Sequence, residues 1–243
     1  MCKYRRMTRQ PTRNLKIVTV AVVSALAVGT VTVDRVAATR AESRTAKAFQ
    51  DGMGTPARPS VHVSGFPVLT QLAEGSLCHV DITAHDIPAR GTTRPLPVTK
   101  LTVGLDGLKT SGSAGVAHAR GVEATAFLSY EDVSRALGPA VSQGEGPGRV
   151  EAAVTLPLVG DVTVSAAVSA ASGNRIAFTD VRVIQGALID PAEALLDRAL
   201  AEPVPLRSIP EGLRLRSVTT TEKGIDARFS GESVTFRPSS TTA

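Results

Sequence analysis

Tryptophan is absent, and rings are confined to two tyrosines and six phenylalanines. Sugar-stacking lectins and single-strand nucleic-acid readers need exposed ring platforms, so both classes are disfavoured. Cysteine is nearly absent too. Cys2 and Cys78 alone can build neither a disulfide scaffold nor a zinc ribbon. Catalytic signatures are missing: there is no G-x-S-x-G elbow and no H-E-x-x-H pair. The glycines at 144, 146 and 148 lack the following Lys and the strand–helix setting of a phosphate loop. The residues therefore point to a protein that is not an enzyme and that uses no cofactor or metal.

Acidic residues are absent from the first 33 positions, which carry Lys3, Arg5, Arg6, Arg9, Arg13 and Lys16. Setting those six aside from the 27 basic residues leaves 21 against 22 acidic ones, so the formal charge of +5 belongs to the amino terminus. Nucleic acid is not an expected partner, because phosphate neutralisation needs clustered positive charge on the folded surface.

Ile17 to Val33 carries no charge. A helix of that length spans about 26 Å, the short end of a bilayer crossing. The flanking positive charge lies on the amino side, which predicts residues 1–16 as a cytoplasmic tail, 17–33 as a transmembrane anchor or signal segment, and 34–243 as an extracytoplasmic domain. A cleaved signal peptide ending near Ala25-Leu26-Ala27 is the competing reading. In the anchored topology the protein belongs to the cell membrane as a single-pass chain, with its bulk on the outer side.

Beyond Asp34 the chain is long and apolar enough for one sizeable core, with 42% hydrophobic residues overall. Residues 35–51 lack Gly and Pro and predict a helix. The period then switches to two. Val61 and Val63; Cys78, Val80, Ile82 and Ala84; Leu101, Val103 and Leu105; and Val122 to Leu128 read as strands, and the pattern continues to Val234 and Phe236. Two helices interrupt it. One spans Tyr130 to Leu137 behind a capping Ser129, and the other opens at Asp190-Pro191. The stretch 142–148 reads as a loop.

Polar clusters are few. His79, Asp81 and His85 share one side of a strand, but the two histidines would lie about 20 Å apart at about 3.3 Å per residue, too far to share a metal. His79 with Asp81 is expected to be a solvated surface pair. Cys78, in phase with Val80 and Ile82, is expected to be a small buried hydrophobe.

One stretch is not generic. Pro59-Ser60-Val61-His62-Val63-Ser64-Gly65-Phe66-Pro67-Val68-Leu69-Thr70-Gln71-Leu72, followed by Ala73-Glu74-Gly75, resembles the signature of the LmeA-like family of phospholipid-binding proteins. That signature is a valine-alternating strand, then Gly-Phe-Pro-Phe-Leu-Thr-Gln, a Gly, and a strand of alternating small apolar residues. Val68 stands where the family usually has its second Phe. Gly121 to Ala126 ahead of Ser129 to Val133 looks like the family's middle strand and short helix. Leu206 to Leu213 and Gly224 to Gly231 look like its closing strands. The resemblance covers about residues 34–236.

The resemblance implies an α+β fold like that of tubular lipid-binding proteins: a strongly curved antiparallel sheet wrapped around a helix, preceded here by one transmembrane helix. It further implies an extracytoplasmic lipid binder in cell-envelope maintenance, with a phospholipid or a lipid-linked glycan precursor as ligand and the membrane as partner. The expected acyl-chain groove is lined by Phe66, Pro67, Leu69, Leu72, Val80 and Ile82. Against it stands a structural or interaction protein whose apolar sheet face is a closed, dry core.

Overall fold

The structure is a computed structural model. It describes residues 12–89, 96–111, 116–156, 160–186, 202–206 and 209–236, with side chains from Val31 onward except at 111, 154, 156 and 204. The helix expected from Asp190 lies outside the described residues.

Helix α1 (Thr12–Met53) opens the described chain. No Gly or Pro interrupts it between Val31 and Asp51, and Gly54, at φ +69°, ends it by donating its N–H to the Gln50 carbonyl. Strand β1 (Ser60–Ser64) leads into the short helix α2 (Val68–Ala73), then strands β2 (Ser76–Ile87), β3 (Val98–Ser111) and β4 (Val116–Ser129). Helix α3 (Tyr130–Leu137) follows, then β5 (Ala140–Gln143), β6 (Arg149–Leu156), β7 (Gly160–Ala171), β8 (Arg175–Gln185) and β9 (Val204–Pro205). The last strands are β10 (Glu211–Thr221) and β11 (Gly224–Phe236). The strands form two antiparallel sheets, ordered β1-β2-β3-β4-β11-β10 and β5-β6-β7-β8-β9.

Register explains the alternation. One row of facing residues crosses all six strands of the first sheet: Val61, Ile82, Val103, Ala124, Phe229 and Leu215. The next in-phase row is Val63, Val80, Leu105, Val122, Gly231 and Leu213. A one-residue slip in any strand would turn its part of both rows to water, so the pairing is strongly specified.

Two different covers bury this face. At the β1–β2 side, Ala38 and Phe49 of α1 pack with Val63, Val68, Val80 and Ile82. At the other side, Ala170 and Ile176 of the second sheet pack with Ala126, Leu215 and Ala227. Phe229 packs against both clusters and marks the seam between them.

Asn174 fastens the sheets together. It sits in the β7–β8 turn at φ +55°, a left-handed conformation that Asn tolerates well. Its side-chain Nδ2 donates to the Leu213 carbonyl at 3.0 Å, and its Oδ1 accepts the Leu215 N–H at 2.7 Å. Strand β10 is the edge of the first sheet, so this amide caps backbone groups that would otherwise face a gap.

Two expectations about the fold class are corrected. The strands do not make one strongly curved sheet wrapped around a helix. They make two sheets, and α1 covers only one end of the larger. Alternation shows which side of a strand is apolar but not which strands pair. It could not reveal that β5–β9 pair among themselves. Nor do the described residues hold a separate transmembrane helix ahead of the domain. Helix α1 continues unbroken through Val33 to Met53, and among the described residues no helix is long and apolar enough to cross a membrane. The physical reason lies at Asp34, which is buried and hydrogen-bonded to α2, so the helix is already part of the fold there.

Candidate lipid-contacting site

The signature stretch folds as a turn and a short helix between β1 and β2. Gly65 has φ +104°, a conformation that L side chains rarely adopt, and a Cβ there would lie 2.7 Å from the Gln71 Nε2. The positive φ calls for glycine, and the Gln71 amide packs closely against it. The chain then turns through Phe66 and Pro67 into α2, where Val68 and Gln71 point inward and are buried.

Three polar side chains hold this turn against the rest of the fold. The Asp34 Oδ1 of α1 accepts the Leu69 N–H at 2.8 Å. The Gln71 Oε1 accepts the Cys78 N–H at 2.8 Å, tying α2 to the start of β2. The Glu42 Oε1 accepts the Val63 N–H at 2.9 Å, tying α1 to the open edge of β1. Two acids on α1 thus satisfy backbone donors that neither a helix nor the sheet would pair, which is how buried N–H groups are kept from a desolvation cost. The Gln of the signature run was the available signal for the second contact. Nothing in the sequence marked Asp34 or Glu42, because their partners are 35 and 21 residues away.

The six residues expected to line a groove fall into two places. Val80 and Ile82 are buried in the core, at 1% and 6% exposure, beside Val63, Val68, Leu105 and Val122. Phe66, Leu69 and Leu72 lie outside, at 68%, 42% and 39% exposure. Pro67 is the residue that caps α2. The inner face holds the first pair, and the α2 turn presents the other three to the surroundings. Between the two covers, Leu101, Val103, Leu128 and Phe229 of the inner face remain only partly buried.

Cys78 corrects an expectation. It is exposed and free, not a buried hydrophobe, although it is in phase with Val80 and Ile82. It sits near the start of β2, beside Gly65, where the apolar cover has run out.

The outer face of the first sheet is polar. His79 Nδ1 lies 2.6 Å from Asp106 Oδ1, and its Nε2 lies 3.1 Å from Asp81 Oδ1. Carboxylates at both ring nitrogens suit the imidazolium, which donates from each. The Asp106 hydrogen bond is the main cause that holds His79 above its ordinary range, with partial burial opposing. The expected surface pair is thus a triad with a third member from β3. Shallow hollows of about 450 Å³ and 630 Å³ adjoin it, with Glu123, Arg216 and Ser230 common to both linings. Such a lining solvates charge and does not shelter an acyl chain. Among the described residues no cluster of His, Cys, Asp and Glu is placed to hold a metal ion.

The helix α3 forms as its residues predict. Ser129 Oγ accepts the Asp132 N–H at 3.1 Å and donates to its carboxylate at 2.7 Å. Thr99 of β3 also donates to that carboxylate, at 2.6 Å, and this bond first, then Ser129's, holds Asp132 below the usual carboxylate range. The cap thereby locks α3 to the first sheet.

The chain has no match among curated proteins or solved structures. Residues 32–230 match the family model for LmeA-like phospholipid-binding proteins. That match begins two residues before Asp34, contains the α2 turn and strands β1 to β10, and ends within the closing strand β11. With most of its length inside the match, this chain belongs to the LmeA-like phospholipid-binding family.

Proposed function

We propose that this protein holds a phospholipid or a lipid-linked glycan precursor on the extracytoplasmic side of a membrane and passes it on during envelope maintenance, without catalysing a reaction on it. Membership of a phospholipid-binding family carries the reading. The extracytoplasmic placement draws on the basic residues before the charge-free run at 17–33, read as an export signal. The inner sheet face supports the lipid part. Between its two covers, Leu101, Val103 and Phe229 remain only partly buried. Apolar surface of this kind favours an acyl chain by about 0.8 kcal/mol per methylene taken from water.

The test is native mass spectrometry of the purified protein, followed by organic extraction. Co-purified acyl lipid is the expected result. Protein free of lipid, even after incubation with phospholipid vesicles, would favour the second reading, a structural or interaction protein with a closed core. One observation speaks for that alternative: Val80 and Ile82 are fully packed, so the face is dry at the α1 end.

A further inference from the structure

The three exposed apolar residues of the α2 turn are not scattered. The Asp34–Leu69 bond sets α2 against α1 at the point where α1 enters the fold. Val31 is one turn before Asp34, on the same side of the helix as the α2 contact. Val31, Val33 and Val36 are 46%, 57% and 47% exposed. Together with Phe66, Leu69 and Leu72 they place exposed apolar side chains on α1 and α2 at one end of the molecule. The charge-free run 17–33 leaves the fold at that same end, within the same helix.

Charge is sorted around α1. At about 3.6 residues per turn, Ala38, Ala46 and Phe49 share the side facing the core, while Val33, Val36, Arg40, Arg44 and Lys47 share the opposite side. The acids Asp34 and Glu42 are spent inward on the Leu69 and Val63 N–H groups. Arg40, Arg44 and Lys47 are exposed, and none makes an ion pair among the described residues. Asp51, in the last turn, is the one acid on their side. Arg40 is about 10 Å along the helix from Val33, within about one Debye length of an apolar contact made there.

We propose that this end of the molecule docks on the surface of an anionic phospholipid bilayer. Phe66, Leu69, Leu72, Val31 and Val33 enter the interface, and Arg40 reaches headgroup level, with Arg44 and Lys47 further back along the helix. Exposed apolar residues at the contact with unpaired basic ones behind them are the combination that binds such an interface. A protein partner would match the apolar residues equally well. A lipid surface also matches the charge-free run that continues from them and the basic stripe beside them. The inference deepens the lipid reading and rests on it only for the choice of headgroup.

The test uses the full chain, with Cys2→Ser and Cys78→Ser, and an environment-sensitive dye on Leu72→Cys or, as control, on Gln143→Cys in β5. The protein is mixed with phosphatidylcholine–phosphatidylglycerol vesicles that carry a lipid spin-labelled at shallow depth, which quenches a nearby dye. Quenching severalfold stronger at 72 than at 143 is expected. It should weaken when phosphatidylglycerol is replaced by phosphatidylcholine. It should also fall severalfold in Phe66→Ser/Leu69→Ser, with an unchanged melting midpoint, since both side chains are exposed. A dye at 72 that stays as open to aqueous iodide with vesicles as without them would overturn the inference. So would shielding at 72 in lipid-free buffer accompanied by a doubled mass, which would mean that a second copy covers the patch. Extracted acyl lipid, measured on the same samples, reports separately on ligand binding: its absence together with strong quenching at 72 would sink the carrier reading and leave the docking surface standing.

Discussion

The Asp34 carboxylate accepts the backbone N–H of Leu69 at 2.8 Å and so joins α1 to α2 across 35 residues. Asp34 is 4% exposed, so water cannot easily replace it. Asp34→Ala should cost about 1–3 kcal/mol, the cost of leaving a buried donor unpaired. Asp34→Asn keeps an acceptor oxygen and should cost less. Chemical denaturation and hydrogen exchange at Leu69 read both effects. An alanine variant with wild-type stability and a still-protected Leu69 amide would show that the bond contributes nothing.

Asn174 makes the corresponding link between the sheets. Asn174→Ala removes both bonds to β10 and forces a β-carbon residue without local polar support into φ +55°. A loss of about 2–3 kcal/mol is expected from two hydrogen bonds plus left-handed strain. Asn174→Gly relieves the strain but not the loss of the bonds, so it should recover about 1 kcal/mol of that. If glycine restored full stability, the amide contacts would be incidental.

Ile82 and Phe66 separate core from surface. Ile82→Asp buries a carboxylate among Val63, Val80 and Val103, at a cost of several kcal/mol against a typical total of about 5–15. That variant should unfold or lose its cooperative transition. Phe66→Asp should keep the wild-type midpoint, because the ring is 68% exposed. The pair is compared by thermal melting. A stable Ile82→Asp would mean that this part of the face opens to water after all.

His79 should make stability depend weakly on pH. Its folded value is raised, so its contribution is fully present below the unfolded value of about 6.5 and is lost as pH rises through the folded one. The effect is small because the side chain is 37% exposed and screened by solvent. The difference in melting midpoint between wild type and His79→Gln should shrink from about pH 5 to 8. A difference that grows over that range would contradict the assignment.

Cys78 should react with a water-soluble maleimide in the folded protein, as its exposure requires. Modification only after addition of denaturant would return it to the buried class.

Much of the fold was legible because a strand with one wet side must alternate. Val61 and Val63, Val80 and Ile82, Leu101 to Leu105 and Val122 to Leu128 all fall within strands. Ser129 caps α3 as its spacing to Asp132 predicts. The helix α2 was missed: its residues Val68 to Ala73 make under two turns, too few for a period to show. The short strands β5 and β9 were missed for the same reason.

Local pattern determined the longer strands, the α3 cap and the family signature around Gly65, because each depends on side chains within a few residues of one another. Tertiary structure alone decided the rest. It paired the strands into two sheets, placed α1 over one end of the larger, and chose Val80 and Ile82 as core while leaving Phe66, Leu69 and Leu72 outside. It also brought Asp34 to Leu69, Asp106 to His79 and Asn174 to β10. Those contacts span tens of residues, and a period of two is the same for a strand facing a helix, a second sheet or a lipid. What covers an apolar face is settled only by what the chain brings back to it.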